Sequence, residues 1–264
     1  MKKILALSIV SLFLLILVGC GDDVTISAPE NFTIAAATNE VDVILDWDEN
    51  TDEIDGYYVY FNTAVIGTVT TAGYTHVDPQ ETGTYYVTAY LGDDESDPST
   101  TETTTPVIAD NITLAEINAA GSSGLGWNRT DGSATTYTME DASNASFIDF
   151  YFSDWATGSQ GPDYQFISPT LVETDPGVTW PMSGTWNLTG FTTALADAFN
   201  DIVLLPSSGY SNSQLVDTYM ATYGVYTTDG YFAMVEVKSA NTGTGEIEIR
   251  VAFQSVQGLR ILEH

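Results

Sequence analysis

The chain has 264 residues, 44% of them hydrophobic and 12% aromatic, and a formal charge of −30 from 36 acidic and 6 basic residues. That length and apolar content suffice to bury one or two sizeable cores and argue against a disordered chain. The charge excludes a nucleic-acid backbone and an anionic membrane surface as partners, because both are bound by clustered Lys and Arg.

The N-terminus reads as an export signal. Lys2 and Lys3 precede an apolar run from Ile4 to Val18, shorter than the roughly 20 residues that a spanning helix needs. Residues 1–19 are therefore expected to be a signal peptide. Leu17-Val18-Gly19-Cys20 resembles the lipobox of bacterial lipoproteins, and Cys20 is the single cysteine of the chain. The resemblance implies that Cys20 is acylated and that residues 20–23 form a short tether to a lipid bilayer. Each buried methylene contributes about 0.8 kcal/mol, so two or three acyl chains anchor firmly. Acylation would also consume the sole thiol, leaving no internal disulfide and no thiolate ligand. The expected location is the cell envelope, at the outer membrane or cell surface in a Gram-negative host. Gly21 is not the aspartate that retains lipoproteins in the inner membrane, and Asp22 and Asp23 loosely resemble surface-export signals. A Gram-positive host stays open. Loss of Lys2 and Lys3 leaves Arg129, Lys238, Arg250 and Arg260 as the only basic residues. Such self-repulsion is screened within about 8–10 Å at physiological salt, which suits a saline or calcium-rich exterior.

The elements that follow are strands. Val41, Val43, Leu45 and Trp47 alternate, as do Tyr57, Val59 and Phe61, then Tyr85, Val87 and Ala89. Period-2 alternation broken by Gly, Pro and Asp turns points to an antiparallel sandwich. The landmarks Pro29, "VILDW", "IDGYYVYF", "TYYVTA" and "ESDPS" resemble in order the fibronectin type III module, over residues 24–107. Between the second and third landmarks, "DWDENTDEIDGYY" places Asp46, Asp48, Asn50 and Asp52 at alternate positions, as calcium loops often do. A helix-flanked calcium loop needs glycine at its sixth position and glutamate at its twelfth, and here those are Thr51 and Tyr57. The stretch is read as a loop of the fold, with weak surface calcium binding as the alternative. "GDDESDPS" is read as a turn, and His76 as a surface or packing residue.

Residues 96–111 are Thr- and Pro-rich and are expected to be an extended linker or edge strand, with a second, mostly-β domain over 108–264. Ile148, Phe150 and Phe152 alternate with Asp149 and Tyr151. A hairpin is expected at Asp229-Gly230, where positive φ is tolerated. Ile247, Ile249, Val251 and Phe253 face inward opposite Glu246, Glu248 and Arg250. One stretch departs from the pattern: Phe191, Leu195, Phe199 and Ile202 in "GFTTALADAFNDIV" have helical spacing and predict one packed helix. The terminal Leu262-Glu263-His264 has the look of a cloning scar, and His264 is assigned no role. The fold class is thus all-β, a fibronectin type III sandwich followed by a larger mostly-β domain with about one packed helix. The order of "IDFYF", one helix and the "TTDGYFAMVEV" hairpin faintly resembles the β-rich haem-capturing lipoproteins of the HmuY type. That resemblance implies shape and surface location. The family's two iron-binding histidines are missing, since this domain holds none before His264.

Little chemistry is visible. A Ser–His–acid set has only His76 to draw on, and a catalytic zinc site lacks histidines and thiolates. "GSSGLG" lacks the lysine of a phosphate loop. No catalytic, cofactor-binding or metal-binding residues are assigned, and no cofactor is expected. The leading reading is non-enzymatic binding or adhesion by the C-terminal domain, with an extracellular glycan or protein as partner. Trp127, Trp155, Trp180 and Trp186 lie in Gly-, Ser- and Thr-rich stretches and are candidate ligand-contact aromatics, or else plugs of the sandwich core. The alternatives are capture of a haem-like small ligand and hydrolysis of a polysaccharide by carboxylates such as Asp149, Asp154 and Asp163 near Trp155 and Tyr164.

Overall fold

The computed structural model describes residues 25–158, 163–180, 184–216 and 219–264. The signal run, the tether 20–23 and Cys20 lie outside the described residues. The protein is all-β, and the helical segments among the described residues are short 3-10 turns at Ala142–Phe147, Pro169–Thr174 and Phe199–Asp201.

The first sandwich contains β1 (Thr33–Ala36), β2 (Val43–Asp46), β3 (Gly56–Phe61), β4 (Ala64–Val69), β5 (Tyr74–His76), β6 (Thr84–Leu91), β7 (Asp94–Glu95) and β8 (Glu102–Thr103). One sheet has the order β1-β2-β5, the other β4-β3-β6-β7, with β8 also on β6. The alternating residues meet between them: Val43, Leu45, Tyr57, Val59, Tyr85, Val87 and Ala89 are fully buried. Trp47 packs edge-on against Tyr57 at 5.3 Å. The acidic loop after β2 is tied to neighbouring segments. Asp48 accepts from Asn31 Nδ2 (2.7 Å), Asp52 from Ser27 N (2.8 Å) and Glu49 from Ala72 N (2.9 Å). Its carboxylates diverge toward separate partners instead of converging on one point.

The second sandwich contains β9 (Val107–Ala115), β10 (Gly124–Trp127), β11 (Ala134–Tyr137), β12 (Phe150–Ser153), β13 (Gln165–Ile167), β14 (Thr189–Ala194), β15 (Ser213–Leu215), β16 (Thr222–Thr227), β17 (Phe232–Asn241) and β18 (Glu246–Phe253). Two five-stranded antiparallel sheets, β11-β10-β12-β13-β15 and β14-β16-β17-β18-β9, enclose a core of Phe150, Phe152, Phe166, Phe191, Tyr223, Ile249 and Phe253. Both outer faces are also covered. Phe232, Met234 and Ala252 lie under Phe199, Ile202 and Leu205. Tyr151 and Ile167 lie under Val172 and the half-buried Trp155, Trp180 and Trp186. Strand β12 is therefore buried on both sides, Asp149 and Tyr151 included.

Three expectations change. The helix over 191–202 is instead β14 followed by the single turn Phe199–Asp201. Thr192 and Thr193 are β-branched and fit a strand, and Thr192 Oγ1 accepts Gly224 N from β16 at 2.8 Å. The helical spacing arises because Phe191 points between the sheets, while Leu195, Phe199 and Ile202 fold over the outer face. Of the linker or edge strand expected over 96–111, the edge-strand alternative holds: β8 pairs with β6, β9 begins at Val107, and only Thr105-Pro106 link them. Finally, the end of the chain is structural. Val256, Leu259 and Ile261 complete the core of the first sandwich, Thr82 Oγ1 donates to Glu263 O at 2.7 Å, and the His264 ring stands 4.9 Å from Phe199. The hairpin at 229–230 forms as expected, with Gly230 alone at positive φ.

Candidate functional site

A cleft of about 480 Å³ opens at one end of the second sandwich. Its position follows from a glycine. A Cβ on Gly126 in β10 would lie 1.7 Å from the Phe147 carbonyl oxygen, so only glycine lets the 3-10 segment 142–147 rest on the strand. Asp141 caps that segment by accepting Ser143 N at 2.9 Å. Phe147 at its end is 59% exposed and stacks on Tyr137 of β11, with centroids 6.1 Å apart and planes at 16°. Asn128, Ser133, Thr135, Ser146 and Asn187 add amides and hydroxyls to the walls.

The floor is ionic and saturated. Arg129 Nη1 and Nη2 reach both oxygens of Asp149 at 2.9 and 2.6 Å, Nε and Nη2 reach Asp229 at 2.7 and 3.1 Å, and Nη1 also donates to Trp127 O at 2.9 Å. All five guanidinium donors are used. The guanidinium also lies over the Tyr231 and Phe253 rings, at 5.1 and 5.5 Å. Asp149 is 1% exposed and also accepts Trp127 N at 2.9 Å. Burial pushes the Asp149 carboxyl up, and the bonds from Arg129 only partly offset this. At Asp229 burial acts in the same direction, but Arg129 and Thr227 outweigh it and the carboxyl is held below its ordinary value. Asp149 precedes β12 in one sheet and Asp229 sits in the β16–β17 hairpin of the other, so Arg129 staples the sandwich at this end.

Of the four tryptophans, only Trp127 borders this cleft. It is 5% exposed, with its ring 5.5 Å from Phe253 and 5.7 Å from Phe150, so it serves the core and offers no open face to a ligand. Trp155, Trp180 and Trp186 are half-buried over β12 and β13 and do not line the cleft. Asp149 is not brought together with Asp154. Asp149 and Asp154 flank β12, five residues apart along an extended strand, or about 16 Å. That exceeds the roughly 5–9.5 Å of a glycosidase pair. Asp163 is exposed, two residues before Gln165, which pairs with Ser153 at the Asp154 end of β12. His264, the only histidine of the second sandwich, packs on Phe199 and reaches Leu262 O through Nδ1 at 2.8 Å. The residues that make the cleft, Tyr137, Phe147 and Asn187, were not singled out by sequence. The one available signal was Phe147, a bulky residue placed just ahead of the β12 alternation. Compared with protein-family models and with curated proteins, the chain matches none.

Proposed function

We propose that the protein is a lipid-anchored, extracytoplasmic binding protein whose second sandwich holds an uncharged glycan in the cleft beside Phe147. The observation that carries this reading is the exposed Phe147 ring, backed by Tyr137 and bordered by amides and hydroxyls, above ionic groups already satisfied by one another. A sugar ring stacks its C–H face on such a platform and exchanges hydroxyl hydrogen bonds with the walls. The anionic chain would repel acidic glycans, which favours neutral ones. The reading is non-enzymatic, because Asp149 is inaccessible and bonded through both oxygens, and Asp229 shares the same arginine. The sheet order β1-β2-β5 against β4-β3-β6-β7 supports a fibronectin type III-like spacer between a Cys20 anchor and the binding sandwich.

The test is a titration of the full chain with neutral and acidic oligosaccharides, followed by melting temperature and calorimetry. Phe147→Ala is expected to weaken binding of the preferred neutral sugar at least tenfold while leaving the melting temperature within about 1–2 °C, since an exposed side chain contributes little to stability. Unchanged affinity in that variant, or no binding by any sugar, would refute the proposal.

A further inference from the structure

The outer face of the first sandwich carries aromatic side chains that its core does not use. In β3 and β6 the residues alternating with the core point away from it: Tyr58 and Tyr60 on one strand, Tyr86, Thr88 and Tyr90 on the other. The register sets Tyr60 directly opposite Tyr86, and Tyr58 diagonal to Tyr90. The rings stack accordingly, Tyr60 with Tyr86 at 4.5 Å and 8°, and Tyr58 with Tyr90 at 4.3 Å and 15°. All four are half-buried, so each keeps part of its surface open to solvent.

A groove of about 310 Å³ runs beside the first pair, walled by Tyr60, Tyr86, Pro98 and Thr101. Glu95 of β7 lies in it. Tyr60 Oη donates to Glu95 Oε1 at 2.8 Å, and Thr88 Oγ1 donates to the same oxygen at 2.6 Å. Both donors are fixed in the sheet, and Thr88 is only 3% exposed. The carboxylate is therefore held in place by one oxygen, with Oε2 left to a ligand. Ser96 beside it is spent on the backbone, accepting Ala89 N at 2.9 Å and donating to Asp97 O at 2.8 Å. The four basic side chains of the described residues all pair with other acids, so none neutralises Glu95. Its neighbours Asp93, Asp94 and Asp97 are exposed and extend the negative field.

We infer that this groove docks a basic segment of a protein partner, with an arginine laid against the Tyr60–Tyr86 pair and its guanidinium on Glu95 Oε2. Charge complementarity selects the partner: an aromatic groove around a fixed, unneutralised carboxylate attracts cations and repels phosphates and acidic glycans. Arginine suits it better than lysine, because a guanidinium is planar, weakly hydrated and stacks on aromatic rings while bonding a carboxylate. A carboxylate already held by two hydroxyls also lowers the ordering cost of binding. The groove has no amide side chain, unlike the cleft beside Phe147, so a neutral sugar finds fewer partners here. The surface lies in the other sandwich and does not depend on the glycan reading.

The test uses the full chain in 0.15 M salt at pH 7.5, titrated calorimetrically with a capped peptide that alternates glycine and arginine. Counterparts carry lysine, or citrulline, which keeps the shape of arginine without its charge. The arginine peptide is expected to saturate one site per chain, the lysine peptide to bind at least threefold more weakly, and the citrulline peptide not to bind. Glu95→Gln can keep both hydroxyl bonds through its amide oxygen, so its melting temperature is expected within about 1–2 °C of wild type. Its affinity for the arginine peptide is expected to fall at least tenfold, and that of Tyr86→Ala at least fivefold. Glu173→Gln, which removes an exposed acid from the second sandwich, and Phe147→Ala are expected to bind within twofold of wild type. No saturable binding of the arginine peptide would overturn the inference, as would unchanged affinity in Glu95→Gln. An equal loss in Glu173→Gln would reduce the effect to general attraction by an acidic chain, and displacement of the peptide by a neutral oligosaccharide would make the groove a sugar platform; either result also overturns it.

Discussion

The two ends of β12 solve the same problem in different ways. At its start, buried Asp149 is met by Arg129 through two short bonds; at its finish, buried Asp154 is met by another buried acid, Glu116. The first arrangement carries its counter-charge within the chain. At the second, burial and the neighbouring charge of Asp154 favour a proton on Glu116. Beyond residue 19 the chain has four basic residues against 36 acidic ones, and the three other than Arg129 pair with Asp110, Glu236 and Glu40.

The contrast breaks most visibly at Arg129. Arg129→Met should cost about 3–5 kcal/mol in urea unfolding, because it strands a buried carboxylate. Adding Asp149→Asn removes that stranded charge and should recover at least half the loss, with Trp127 N still able to donate to the amide oxygen. If the double variant is no better than the single one, packing of the guanidinium over Tyr231 and Phe253 outweighs its charge.

A smaller effect should appear at the other end as a pH slope. Burial, together with the charge of Asp154, pushes the Glu116 carboxyl up to about 7 from an ordinary value of 4.5. Between those values the folded chain holds its proton more firmly than the unfolded chain, so the stability from Glu116 is complete below 4.5 and is lost as pH rises through 7. The melting temperature should therefore fall by several degrees from pH 5 to pH 8 through this group. His76 works in the opposite sense, since burial lowers its pKa and its contribution is lost as pH falls through and below 6.5. The comparison that isolates Glu116 is wild type minus Glu116→Gln across the same range. A difference that does not change with pH would mean that Glu116 titrates as an ordinary surface acid.

How much of this was legible in sequence depends on whether one strand face alone carries the burial. In the first sandwich it does, so Val43-Leu45-Trp47 and Tyr85-Val87-Ala89 mark the core directly. In the second sandwich it still does along β18, where Ile247, Ile249 and Val251 are buried between Glu246, Glu248 and Arg250, but β12 is covered on both sides and its alternation separates nothing. Asp149 and Tyr151 are buried along with the Phe150 and Phe152 that they alternate with, and Phe191 to Ile202 imitated a helix while crossing from one face of a sheet to the other. Glu116 was invisible because a glutamate just past a strand resembles any polar rim residue. Only the return of the Asn118 backbone and the arrival of Asp154, 38 residues later, bury it. The cleft depended on Gly126, whose meaning appears only once Phe147 is known to lie across it.

The finest test of the contrast holds the arginine constant and changes its other partner. Asp229 also bonds Arg129, but its side chain is 41% exposed where that of Asp149 is 2% exposed. An exposed partner gains little, because water already solvates it and salt screens the pair. Asp229→Asn should therefore cost under about 1 kcal/mol at pH 7. The amide oxygen can keep the hydrogen bonds from Thr227 and Arg129 Nη2, both of which reach the same oxygen in the wild type. Since Asp229 is held below its ordinary value, its contribution is present above about pH 4 and is lost as pH falls through its folded value. Wild type and variant should converge toward pH 2–3. A loss at pH 7 as large as that from Arg129→Met would mean that the hairpin needs Asp229 to hold its shape, and that burial is not what separates the two partners.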